Sequence, residues 1–392
     1  MNWLSRQALL WASVAVLALP AAVQAQKFTY TTNSDNTITI TGYTGTGGVV
    51  NIPSTIDGKS VVTIGEIAFA HQRKLTGVTI PSSVTSIEYY AFDSCYNLNT
   101  VSLPIDGLQN IEDYAFSACL SLANIAIPYS VTNIGSSAFS TCANLSMITV
   151  NESNAVYSST NGVLFDKYQT TVVQYPGGKA GSTYTIPNSV TTIGDESFAD
   201  CHNLNTMIIP DSVTNIEHYA FGGCYNLTNI TIGSGVTCIG ETAFYQCTGL
   251  TSLSIPNSVT NIGGWAFCNS WNLTLMTIGN GVTHIGESAF QECESLTAIY
   301  FRGNAPIFDE PIFYDCYPII YYLPGTTNWS TTFSGRPTVL WNPQVKKDGN
   351  FGVRTNCFGF TFTNAGSPTV VVEACTNLTN ACLLYTSPSP RD

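Results

Sequence analysis

The sequence predicts a mostly-β solenoid, a coil of short strands and turns in which each unit is completed by its neighbours. Three observations predict it. Phe198, Phe221, Phe244, Phe267, Phe290 and Phe313 follow one another at a constant spacing of 23 residues. Each closes a near-copy of one phrase, which residues 250–267 spell as Leu-Thr-Ser-Leu-Ser-Ile-Pro-Asn-Ser-Val-Thr-Asn-Ile-Gly-Gly-Trp-Ala-Phe. The chain also combines 44% hydrophobic with only 10% charged residues, enough apolar material for a long core. Self-similarity at a period of about 20–29 residues marks stacked repeats, because one such unit is too small to bury its own apolar face.

The elements follow in chain order. Residues 1–25 read as a secretory signal peptide, with Arg6 in a basic start, an apolar run from Ala8 to Leu19, and Val23-Gln24-Ala25 as the cleavage site. The run is shorter than the about 20 residues that span a bilayer, so cleavage near Ala25 and no membrane insertion of the mature chain are expected. Residues 26–60 alternate Thr, Ile and Val around Asn-Thr and Gly-Gly turns, which predicts a β-hairpin cap over the first open edge.

Residues 61–320 carry the solenoid. Phe69, Phe92, Phe116 and Phe139 extend the register backwards at spacings of 23, 24 and 23. Within a unit, Leu-x-x-Ile-x-Ile-Pro alternates apolar and polar residues as a strand with one buried face, and proline closes it. Val-Thr-x-Ile-Gly supplies a second short strand, and Ala-Phe enters a turn or a single helical turn. The 59 residues from Phe139 to Phe198 exceed two periods by 13, which places an insertion at about 151–181. Its Asn161-Gly162-Val163-Leu164-Phe165-Asp166 and Tyr175-Pro176-Gly177-Gly178 predict a strand pair that replaces part of a repeat and bulges from the solenoid. Insertions of this kind map to one face and often meet partners, and they are also tolerated as inert loops.

Residues 321–342 read as a closing cap, 343–356 as a polar linker and 357–381 as a truncated β module. Two strands do not make a stable module, so poor packing is expected after about Asn342. Residues 382–392 depart from the strand pattern and resemble the translation of a sequencing-library adapter. They are expected not to belong to the natural chain, so that its true C-terminus and any anchoring signal lie beyond this sequence.

The repeats resemble the BspA-like leucine-rich repeat family. The pattern Leu-x-x-Ile-x-Ile-Pro…Val-Thr-x-Ile-Gly…Ala-Phe-x-x-Cys runs through Leu75–Phe92, Leu98–Phe116, Leu122–Phe139 and Leu204–Phe290, with departures at Ser197, Gly233, Ser270 and Gly279. The resemblance spans roughly Gly58 to Pro324. It implies a leucine-rich-repeat solenoid in a secreted or surface-exposed protein used in adhesion and protein binding.

Cys95, Cys119, Cys142, Cys201, Cys224, Cys247, Cys293 and Cys316 each lie three residues after the Phe of their own repeat, while Cys238 and Cys268 lie off that column. A small, weakly polar side chain recurring at one position reads as a reduced packing ladder rather than a disulfide framework. The repeat has no Cys-x-x-Cys pairs and no regular His partner, so no metal is expected. His71, His202, His218 and His284 fall at variable positions, and no motif assembles them with a nucleophile. No nucleotide-binding glycine loop is present. A non-enzyme without cofactor is expected. The formal net charge of −12 argues against nucleic acid or an anionic membrane as partner.

The variable positions beside the Ala-Phe and Cys columns are rich in rings. Tyr90, Tyr114, Tyr219, Tyr225, Trp265 and Trp271 are the candidate contacts for a protein or glycan ligand, because these rings offer contact area with a polar edge. They are expected to coincide as Tyr90 with Tyr114, Tyr219 with Tyr225, and Trp265 with Trp271. Shielding of the turns is the plain alternative role. A structural spacer that presents a C-terminal module lost from this fragment is the alternative function.

Overall fold

The computed structural model describes residues 27–341 in full and, beyond them, the backbone of five strands between Gln344 and Tyr385. The expected signal peptide lies outside the described residues, as do the side chains of the linker, the C-terminal module and the adapter-like tail. Among the described residues every regular element is a strand, so the turn at Ala-Phe is not helical. Two compact units divide the chain, one ending at Tyr157 and one beginning at Ser158.

In the first unit, Phe28–Thr32 and Ile38–Tyr43 form the expected antiparallel hairpin. Ile38–Tyr43 then pairs in parallel with Lys59–Ile64, and two-residue strands continue the ladder, matching Ile64 to Ile87, Ile87 to Ile111 and Ile111 to Ile134. These isoleucines are buried, and the Thr or Asn beside them faces outward, as the period of two requires. A second parallel ladder joins Gly48–Asn51, Leu75–Thr79 and Thr100–Ser102.

The third side of each turn carries the phenylalanines. Tyr43, Phe69, Phe92, Phe116 and Phe139 form one continuous stack, with ring centroids 4.8–5.8 Å apart. The backbone around each Phe alternates its N–H groups between two destinations. Phe92 N–H donates to Ala115 O of the next turn, while Ala91 N–H donates to Glu88 O of its own. Residues two before and two after the Phe adopt a left-handed backbone, as Tyr90 (φ 54°) and Ser94 (φ 54°) do. Each such non-glycine residue costs about 1–2 kcal/mol. Its N–H is thereby turned toward the neighbouring turn, as Tyr90 N–H is toward Asp113 O. This arrangement satisfies the backbone without a helix.

The insertion is built rather than loose. Asn154 is fully buried, donates from Nδ2 to Pro128 O and Val131 O, and accepts the N–H groups of Val156 and Tyr157 on Oδ1. Tyr157 in turn accepts the Ile134 N–H on its hydroxyl, 2.8 Å away, and so closes the short-strand ladder of the first unit.

The second unit has Val163–Asp166 antiparallel to Thr171–Gln174, so the strand pair is present, but it does not bulge, because Val163, Phe165 and Val172 are buried in the core and the second strand pairs in parallel with the next turn. Thr171–Gln174 starts a new parallel ladder in which Val172, Ile193, Ile216, Ile239, Ile262, Ile285 and Phe308 lie in register. A new aromatic stack begins with Tyr175 on Phe198 and runs through Phe313. Ile319–Tyr322 and Arg336–Leu340 end the longer-strand ladder, with Thr332–Phe333 folded back on the last strand. In the C-terminal backbone, Cys357–Thr363 pairs antiparallel with Gln344–Lys346, Gly352–Arg354 and Val370–Cys375. Leu383–Tyr385, within the adapter-like tail, pairs with Val370–Cys375.

The described cysteines are free, and the eight column thiols are buried. Six of them, from Cys95 to Cys293, place Sγ 3.0–3.3 Å from the carbonyl of the preceding turn's Phe. Ser270 stands where the column lacks a Cys, and its hydroxyl donates to Phe244 O at 3.1 Å. The departure in the sequence therefore preserves the donor. Burial pushes the Cys95, Cys142, Cys224 and Cys316 thiols up to about 12.

Candidate functional site

The ring-bearing edge of the turns is set by position relative to the Phe column. Tyr90 and Tyr114 both lie two residues before a Phe, in successive turns, at φ 54° and 56°. Their rings stack at 4.8 Å and 19°, and Tyr89 meets both edge-on. The left-handed conformation belongs to the turn, since Ile67 and Ser137 share it at the same position. Tyr90 and Tyr114 are half-buried there and Ile67 is exposed, while Ser137 at the same position is buried.

The other two expected pairs are not made. Tyr219 and Tyr225 lie six residues apart in one repeat, as do Trp265 and Trp271, so each pair belongs to different columns of a single turn. Rings six residues apart in one turn do not meet here, and Tyr219 and Tyr225 have partners in adjoining turns. Tyr219 leans on Tyr245 of the next turn at 5.8 Å, and Tyr225 stacks on His202 of the preceding turn at 5.0 Å and 15°. Trp265 has the turn's left-handed backbone, with its N–H bonded to Glu287 O.

Polar side chains tie this edge together in the second unit. Tyr225 donates its hydroxyl to Gln246 Oε1, and the Gln246 and Asn269 amides both donate to the Tyr245 hydroxyl. Trp271 donates its indole N–H to Asn269 Oδ1 at 3.2 Å. Tyr245, Gln246 and Asn269 were not singled out in the sequence, where an isolated amide beside a turn has no signature. The ring of Tyr219 lies over Gly222, where an added Cβ would stand 2.3 Å from the ring. Burial raises the Tyr219 and Tyr225 hydroxyls above their ordinary range, with the Asp200 carboxylate adding to both. Tyr225 and Trp271 remain 42% and 48% exposed.

Among the described residues no cluster of His, Cys, Asp and Glu is placed to hold a metal, and no helix is long and apolar enough to cross a membrane. His202 lies 3.8 Å from Asp200 and stacks under Tyr225. His284 bridges Asn261 and Asp309 across three turns.

A leucine rich repeat region of BspA type, in six copies, matches residues 50–166, 179–297 and 216–326. The chain belongs to this family. Among solved structures, a leucine rich cell surface protein from Faecalibacterium prausnitzii A2-165 is 28% identical, with a TM-score of 0.54 over 71% of this chain and 94% of that one. A leucine-rich repeat protein from Eubacterium ventriosum ATCC 27560 is 24% identical, with a TM-score of 0.52 over 81% of this chain and 83% of that one, and it shares the fold. No curated protein sequence matches this chain. BspA-type repeats are a scaffold of stacked turns, and the ring-bearing edge described above is a surface such a scaffold can vary without disturbing its core.

Proposed function

We propose that this BspA-type repeat protein is exported and binds a macromolecular partner, protein or glycan, through the ring-bearing edge of its turns. The observation that carries the reading is the linked set Tyr225, Gln246, Tyr245, Asn269 and Trp271, in which exposed rings are fixed by side-chain hydrogen bonds. Rings held in place before contact lose little freedom on binding, and Tyr and Trp dominate the energetics of many interfaces. Export agrees with the leader read in residues 1–25, and the Faecalibacterium relative is itself a cell surface protein.

Attachment of the mature chain to host cells and matrix proteins tests this. Replacing Tyr225 and Trp271 together by Ala should weaken attachment about tenfold or more while moving the melting temperature by less than about 3 °C. Undiminished attachment would remove the edge as the contact surface.

A further inference from the structure

One column of the ring-bearing edge skips a ring at one turn. The position four residues after each Phe is His202, Tyr225, Thr248 and Trp271 in successive turns. His202 and Tyr225 stack at 5.0 Å, which is the spacing of neighbouring turns, and the phenylalanines beneath repeat at 5.2 and 5.5 Å. The far face of Tyr225 therefore looks toward Thr248, where no ring follows. The backbone of Trp271 stands one turn further on, about 10 Å from that of Tyr225 by the inter-strand spacing. Two such steps leave room for one flat ring at ordinary stacking distance from two rings that project alike.

The floor and rim of the gap are polar. Thr248 is held by its hydroxyl on Tyr225 O and by the Asn272 amide on its own carbonyl. Gln246 and Asn269 flank it, and each amide nitrogen carries a second N–H beyond the one given to Tyr245. A purely apolar ring would leave these groups without exchange for water. A ring edged with hydroxyls would satisfy them. Charge narrows the class further. From Lys179 to Arg302 the sequence has no other Lys or Arg, while carboxylates recur from Asp195 to Glu294. An acidic sugar would meet repulsion and no cation.

We infer that the gap between Tyr225 and Trp271, floored by Thr248, binds one neutral pyranose ring of a glycan. The inference rests on the ring-bearing edge being the contact surface and names its ligand.

The test uses an array of neutral, sialylated and sulfated oligosaccharides, probed with the mature chain and with Thr248→Tyr and Trp271→Ala variants. Thr248→Tyr fills the gap and leaves both walls in place. Neutral oligosaccharides should bind the unaltered chain, and each variant should weaken that binding about tenfold or more with an unchanged melting temperature. Silence of the neutral glycans, preference for acidic ones, or full binding by Thr248→Tyr overturns the inference. Host-cell attachment separates the two readings. If Thr248→Tyr attaches normally while the Tyr225, Trp271 double variant does not, the edge is the contact surface and the gap is not its sugar site. If both attach normally, the edge itself is excluded.

Discussion

Tyr175 stacks on Phe198, with ring centroids 5.0 Å apart and planes 25° from parallel. Tyr43 stands in the same relation to Phe69, at 5.3 Å and 21°. Among the described residues, the phenylalanine stack of each unit thus continues onto a buried tyrosine at the same position of the register.

Truncation should show that Tyr175 is a true member of the column. Tyr175→Ala removes a buried ring from the start of the stack and should cost about 3–5 kcal/mol, comparable to Phe244→Ala in a central turn. Tyr175→Phe keeps the ring and should cost less than about 1 kcal/mol. Urea denaturation monitored by circular dichroism reads both. A negligible effect of Tyr175→Ala would mean that the stack begins at Phe198.

Asn154 should be among the most sensitive polar residues. Its side chain is fully buried, and two of its hydrogen bonds cover the carbonyls of Pro128 and Val131. Asn154→Ala leaves those groups without their partner and should cost about 2–4 kcal/mol in the same denaturation experiment. Asn154→Asp should be comparably harmful at neutral pH, because a carboxylate cannot donate to either carbonyl. Stability within about 0.5 kcal/mol of the unaltered chain would show the insertion to be loose.

The thiol ladder should make the protein sensitive to alkali. An unfolded thiol loses its proton near pH 8.5, about its ordinary value, whereas Cys95, Cys142, Cys224 and Cys316 keep theirs up to about 12. Their stabilising effect is fully present below about pH 8.5 and is lost as pH rises toward 12, because the unfolded state releases protons that the folded state retains. Melting temperature should therefore fall between about pH 8 and pH 9, before unfolded tyrosines add much titration of their own near pH 10. Cys224→Ser should fold, as Ser270 does in the same column, and should shallow that fall by about one proton's contribution. An unchanged slope would mean that the thiols do not report burial in this way.

What the sequence made legible was whatever repeats. The Phe and Cys columns and the alternating strands could be read because 23-residue spacing multiplies a weak signal. Tyr175 lies 23 residues before Phe198 and belonged to that register, yet a search for Phe passes over it. Asn154 could not be told from a turn asparagine, since burial of an amide leaves no trace in composition. The ring pairs were legible only where both residues share a column. Tyr90 and Tyr114 do, and they stack. Tyr219 with Tyr225 and Trp265 with Trp271 are expected to coincide in neighbouring turns, yet each pair lies six residues apart within one turn, whereas the stacked rings lie about one period apart.

That column rule gives the last prediction, at Gly222. Tyr219 projects from a left-handed residue (φ 50°) and lies back over Gly222, whose absent side chain makes room for the ring. The equivalent position carries Ala199 in the preceding turn and Tyr245 in the following one, so the backbone itself accepts a side chain there. A methyl group on Gly222 would stand 2.3 Å from the Tyr219 ring and expel it from its place beside Tyr245. Gly222→Ala should then cost less than about 1 kcal/mol of stability while reducing partner attachment, because the ring leaves its prearranged position without any change in the groups available. Tyr219→Ala in the Gly222→Ala background should add little further loss, since both changes remove the same placed ring. If Gly222→Ala attaches normally and Tyr219→Ala does too, Tyr219 only shields its turn, and contact is confined to the Tyr225 to Trp271 side of the edge.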